Sequence, residues 1–252
     1  MPAHVSCVPC SIVDQLQPGH RVWIDDGRVG ATVERVDEEG ALLKIFRAPS
    51  KGARLGSERG LNFPDTRLDL SPLTETDLKD VDSIVDQADI VGYSFVQDAK
   101  GMDQLVSALD ERNGGRLGII AKIETRAAVQ NLPEIIIHGA GRHPFGVMIA
   151  RGDLALEIGY ERLAEIQEEI LWICEAAHVP VVWATQVLES MVKEGIPSRA
   201  EITDAAMSER AECVMLNKGP YVLEAMDILS NVLSRMEAHQ HKKMAHFRAL
   251  QW

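Results

Sequence analysis

Val147-Met148-Ile149-Ala150-Arg151-Gly152-Asp153 and, upstream of it, Ile119-Ile120-Ala121-Lys122-Ile123-Glu124 decide the fold class. Each is a β-branched apolar run that ends abruptly in charge. Runs of this length read as strands of a parallel sheet buried on both faces. The charge then falls at the carboxyl ends of the strands, the side on which α/β barrels build their active sites. Lys122, Glu124 and Asp153 are expected to meet there. A lysine beside two carboxylates suits a divalent metal and an anionic substrate, and the hard oxygen donors favour Mg²⁺ or Mn²⁺.

Working outward, strand and helix alternate from Thr74 to the C-terminal region. Helices are expected over Thr74 to Ala88, with Thr74 as N-cap, and over Met102 to Asn113, Arg126 to His138, Glu161 to Ala177, Ser198 to Glu209 and Tyr221 to His239. Strands are expected over Asp89 to Val96, Leu117 to Glu124, Phe145 to Ala150, Val179 to Thr185 and Cys213 to Leu216. This is the signature of right-handed βα units. About five such strands are visible, where a closed barrel has about eight. The expected architecture is α/β, a partial TIM (β/α)8 barrel spanning 69–252. Before it, 1–68 reads as a small β-rich lid. Val22 to Val33 forms a hairpin turning at Asp26-Gly27, and Ala41 to Phe46 adds a strand.

The chain has 252 residues, 46% hydrophobic and 25% charged, with a formal net charge of -12. That charge argues against nucleic acid as a partner. No apolar run reaches membrane-spanning length and the N-terminus has no basic-then-apolar leader, so a cytoplasmic, membrane-free protein is expected. Cys7 and Cys10 form a lone C-x-x-C without the further ligands that a zinc site needs. With Cys174 and Cys213 they read as free thiols. Gly52, Gly56 and Gly60 are too loosely spaced for a phosphate loop. The His- and Lys-rich tail, with His239, His241, Lys242 and Lys243, reads as a solvated helix end.

AKIET at Ala121 to Thr125, IARGDLALEI at Ile149 to Ile158, WATQVLESM at Trp183 to Met191 and PSRAEITDAA at Pro197 to Ala206 resemble pyruvate kinases, in order and spacing. IDDGRVGATVE at Ile24 to Glu34 resembles the hairpin of that family's lid. RGLNFPDTRLDLSPLTETD at Arg59 to Asp77 resembles the return from lid to barrel, and DIVGYSFVQ at Asp89 to Gln97 the next barrel strand. The resemblance implies phosphoryl transfer between phosphoenolpyruvate and ADP, giving pyruvate and ATP. It implies Glu124 and Asp153 as holders of Mg²⁺ or Mn²⁺, and Lys122 as the cation that stabilises the phosphoryl group in flight. Gly152 would bring a backbone N–H to the substrate carboxylate, and Thr185 would stand near the carbon that gains a proton. Arg151 is expected to fix the loop through a carboxylate, and Asp25 and Asp26 have at most a role on the nucleotide side of the lid. K⁺ is a further cofactor in the family, but its ligands lie on strands not found in this sequence.

The departures matter as well. The family's first three barrel strands, with the arginine that holds substrate phosphate, have no counterpart here, nor has its C-terminal domain. Asn217-Lys218-Gly219-Pro220 stands where the family has Ser-Gly-Glu-Thr. Self-association or a complementary chain is therefore expected, with little or no turnover by this chain alone. Two other readings stay open on the residues: a metal-dependent aldolase or lyase of the phosphoenolpyruvate/pyruvate barrels, and a non-catalytic remnant.

Overall fold

A computed structural model describes residues 4–240. A short 3-10 helix, Cys10–Gln15, leads into β1 (Arg21–Ile24), β2 (Val29–Asp37), β3 (Gly40–Arg47) and β4 (Leu61–Asn62). These form one antiparallel sheet in the order β3-β2-β1-β4. The β1–β2 hairpin pairs Ile24 with Val29, so the turn spans Asp25 to Arg28. Asp25, Asp26 and Gly27 all have positive φ there, at 57°, 52° and 77°. Gly27 also touches the rest of the molecule closely: a Cβ on it would lie 2.5 Å from Leu156 Cδ2. Val22, Ile24, Val29, Val33 and Phe63 make a small core, closed by Ile12 and Leu16.

The second unit follows as α1 (Glu75–Gln87), β5 (Ile90–Tyr93), α2 (Ala99–Asp110), β6 (Gly118–Ile123), α3 (Arg126–Gln130), α4 (Leu132–Ala140) and β7 (Phe145–Ala150). It continues with α5 (Arg151–Ile158), α6 (Tyr160–Ala176), β8 (Val181–Val187), α7 (Glu189–Glu194), α8 (Arg199–Met207), β9 (Cys213–Leu216) and α9 (Val222–Gln240). Strands β5 to β9 form a parallel sheet in simple sequence order, five strands among the described residues. The fold is α/β: an open half-barrel flanked by helices, with a separate small antiparallel sheet.

Local chemistry explains the element starts. Thr74 caps α1 in a capping box with Asp77, and Ser198 does the same for α8 with Glu201; each pair satisfies two backbone donors that a helix start leaves open. The single helix expected over Arg126 to His138 is two. It breaks at Asn131, and Pro133 sits in the first turn of α4, where its missing N–H and fixed φ are tolerated. Two short helices, α5 and α7, were not foreseen, because so few turns give the apolar spacing little room to show.

The expectation of strands buried on both faces is corrected. In β6, Ile119, Ala121 and Ile123 are fully buried, while Gly118, Ile120 and Lys122 are only half-buried. The first set packs into a core with Leu105 and Leu109 of α2, Ile135 of α4, and Ile166 and Ile170 of α6. The second set lines the concave face, where an open sheet has no facing strands to cover it. The tail 241–252, including His241, Lys242 and Lys243, lies outside the described residues.

Candidate active site

Because β6 and β7 pair in parallel with Lys122 beside Met148 and Ile123 beside Ile149, both chains leave the sheet on the same side. Lys122 stands on the concave face. Its Nζ donates to Ser94 Oγ at 2.8 Å and lies 2.7 Å from Glu124 Oε1. Glu124 is buried, and its second oxygen accepts the Phe95 backbone N–H at 2.5 Å. Burial pushes the Glu124 carboxyl above its usual range, against the pull of Lys122 and the Phe95 N–H, and the negative charge of Asp153 adds to the rise. Glu124 and Asp153 therefore repel each other across the strand ends.

Asp153 is not at the strand end itself but in the first turn of α5, where a carboxylate is favoured by the helix dipole. Its Oδ1 accepts from Asn62 Nδ2 of β4 at 3.0 Å. Gly152 was expected to offer its N–H to a substrate. In the structure that N–H donates to Thr185 Oγ1 at 3.1 Å, and a Cβ at Gly152 would stand 3.1 Å from the same hydroxyl. The glycine thus lets α5 start against the end of β8.

Arg151 is nearly buried and bound on every side. It pairs with Asp204 of α8, its Nε donates to Ala184 O at 3.0 Å, and its Nη2 donates to Thr185 O at 2.6 Å. Its guanidinium also lies 4.7 Å from the centroid of the Trp183 ring. This clamp ties the start of α5 and the second half of α8 to the end of β8. Asp25 is held in the turn by Arg59 at 3.1 Å and Arg28 at 3.5 Å. Cys7, Cys10, Cys174 and Cys213 are free thiols.

Four residues near the site were missed by sequence reading: Ser94, Asn62, Asp204 and Glu157. Only Glu157 had a local signal, since it lies four residues after Asp153 and so shares its helix face. Burial pushes its carboxyl up to about 7, with Asp153 and Asp65 adding to the rise and Arg126 and the Phe63 backbone N–H opposing it. Glu157, Asn62, Arg126 and Phe95 line a cleft of about 1310 Å³ beside the cluster; Lys122, Glu124 and Asp153 do not line it.

The raised Glu157 value has a consequence for stability. The carboxyl is protonated in the fold and ionised in the unfolded chain between its usual range and about pH 7. The folded state then holds the extra proton, so stability from this group falls as pH rises through that window and stays low above it. Glu157→Gln keeps an acceptor for the Phe63 N–H without the titration. It is expected to gain up to about 3 kcal/mol over the parent between pH 4.5 and pH 8, at about 1.4 kcal/mol per pKa unit. Urea unfolding at several pH values checks this; parallel curves for the two proteins would refute it.

Among the described residues no group of three or more His, Cys, Asp or Glu side chains is arranged to hold a metal ion. Two carboxylates still fit Mg²⁺ or Mn²⁺, because such ions keep waters and share their shell with substrate oxygens. The repulsion between Glu124 and Asp153 is the conflict that a divalent cation would relieve.

The family model described as the pyruvate kinase barrel domain matches residues 4–226. A pyruvate kinase of Agrobacterium vitis is 36% identical over 231 residues, covering 89% of this chain and 45% of that protein. One from Methanocaldococcus jannaschii is 32% identical over 235 residues, covering 90% and 50%, and a human pyruvate kinase is 35% identical over 235 residues, covering 90% and 39%. The chain thus spans half or less of the length of these relatives. With the parallel half-barrel and this run of matches through lid return and strand ends, the chain belongs to the pyruvate kinase family.

Proposed function

We propose that this chain carries the lid and the metal-binding half of a phosphotransferase that moves a phosphoryl group between phosphoenolpyruvate and ADP, giving pyruvate and ATP. The observation that carries the reading is Lys122 Nζ at 2.7 Å from the buried Glu124, whose charge is coupled to Asp153 in the first turn of α5, just after the adjacent strand. Family membership supports it.

Phosphoryl transfer asks mainly for positioning and charge neutralisation. Glu124 and Asp153 would hold Mg²⁺ or Mn²⁺, which supplies Lewis-acid polarisation of substrate oxygens when bound. Lys122 would face the equatorial oxygens of the moving group, kept in place by Ser94 and Glu124. Thr185 accepts the Gly152 N–H, which leaves its hydroxyl proton free to donate near the carbon that is protonated when the enolate becomes pyruvate. Arg151 holds that threonine by its carbonyl and is a positioning residue. Asp25 and Asp26 would face the nucleotide side of the lid. The lid is proposed as 1–68 and the barrel portion as 69–252.

Strand β5 and strand β9 each have one unpaired edge among the described residues. We propose self-association, or pairing with a complementary chain, at these edges, with little turnover before they are filled. No helix of the described residues is long and apolar enough to cross a membrane, and the proposed setting is the cytoplasm. K⁺ use is proposed only for an assembly that supplies its ligands.

Two measurements test the reading. Mn²⁺ binding, followed by electron paramagnetic resonance, is expected in the parent and lost in Asp153→Ala; equal affinity in both would overturn the metal site. A coupled assay for pyruvate, run on the chain and on any complemented assembly, is expected to show phosphoenolpyruvate- and ADP-dependent turnover in the assembly. Absence of pyruvate from every assembly that binds Mn²⁺ would overturn the reaction.

A further inference from the structure

The small sheet reaches the half-barrel through one short strand and one helix face. Helix α5 packs against β4. Asp153 and Glu157 are four residues apart on α5 and so lie on one face, one turn above the other. Two successive residues of the β4 region meet that face. The Asn62 side chain donates to Asp153 Oδ1 at 3.0 Å, and Phe63 and Glu157 line the same cleft beside it. A third contact flanks them, where the Gly27 turn touches Leu156.

Asn62 has the properties of a group built for one task. It is buried, 5% exposed, on a strand of two residues, opposite Trp23 of β1. A buried amide with an apolar alternative of the same shape is costly unless its hydrogen bonds are used. Here the amide is used to fix one carboxylate oxygen of Asp153, and that leaves the other oxygen, Oδ2, without a hydrogen bond from the described residues and available to a ligand. Glu157 faces Arg126 of α3, Asp153 of its own helix, Asp65 of the segment after β4, and Arg21 of β1, which is itself paired with Asp65. The carboxyl therefore sits among mixed charges at the junction.

The geometry points to Asn62 as the positioning residue of the Asp153 carboxylate. The inference rests on reading Asp153 as a metal carboxylate. It makes metal affinity depend on the docking of the small sheet, since the orienting donor arrives on that sheet. Outer partners of ligating carboxylates set the ligand's orientation before the metal arrives, and their removal costs about 10- to 100-fold in affinity.

The test is Mn²⁺ affinity of the full chain and of three variants, each at a temperature where circular dichroism shows it folded. Asn62→Leu, close to isosteric but without a donor, is expected to bind Mn²⁺ about 10- to 100-fold more weakly. Asp153→Ala serves as the reference for loss of the site. Parent-like affinity in Asn62→Leu together with loss in Asp153→Ala would overturn the positioning role and leave the metal reading standing. Parent-like affinity in both would overturn the two together. If Asn62→Leu does not fold, Asn62→Ala, which also lacks the donor, decides on the same outcomes.

Discussion

Lys122→Met is expected to lower phosphoryl transfer by about 10²- to 10³-fold, the usual cost of removing one electrostatic donor aimed at developing charge. The measurement is single-turnover pyruvate formation in an assembly that is active with the parent chain. Methionine keeps most of the length of the side chain and loses the ammonium, so the concave face of β6 stays filled. Mn²⁺ binding is expected to persist. Lys122 is the cation beside Glu124, at 2.7 Å, and a bound metal would take over that neutralising role. Without either cation, burial and Asp153 push the Glu124 carboxyl still further up. Mn²⁺ binding by the variant is therefore expected to weaken more steeply as pH falls. Parent-like turnover would remove Lys122 from the chemistry. Loss of Mn²⁺ binding at neutral pH with turnover lost in proportion would make it a metal-site residue only.

Trp183→Ala carries the largest expected effect on stability. Trp183 is fully buried on β8 and belongs to the core shared by the sheet with helices α2, α4 and α6. Removing a buried aromatic side chain of this size costs about 3–5 kcal/mol, since the site collapses only in part. The same ring lies under Arg151, 4.7 Å from the guanidinium. Its loss thus also loosens the clamp that holds the Thr185 carbonyl. Urea denaturation is expected to show a lower midpoint with an unchanged slope. A shift within the roughly 0.5 kcal/mol typical of surface changes would show that the core does not depend on this ring.

Much of the scaffold was written locally. The alternation of apolar runs and helical patterns after Thr74 was enough to place strands β5 to β9 and the longer helices, because side-chain period and capping act within a few residues. Thr74 and Ser198 are legible as caps for the same reason. Lys122 and Glu124 could be named because they lie two residues apart at the end of one strand. The local signal weakened wherever an element was too short to show a period. Helix α5 spans only Arg151–Ile158, and β4 only Leu61–Asn62. The break at Asn131 was hidden because Pro133 is compatible with the first turn of a helix as well as with its end.

What the sequence determined by itself is therefore the longer building units, their order, and which charged residues follow the strands. What only the tertiary structure decided is which of those residues meet. Asn62 and Asp153 are 91 residues apart in the chain, and Arg151 and Asp204 are 53 apart. Gly152 gives its N–H to a threonine 33 residues away. No periodicity reports such contacts, since they arise from how one element packs on another and not from the backbone preference of either. The same holds for burial. Ile119 and Ile120 look alike in the sequence, yet helices cover the first, while the second faces the open side of the half-barrel. The electrostatics follow from that packing: the Glu157 carboxyl is pushed up to about 7 by burial at the junction of the two units, an environment that the local sequence around it does not encode.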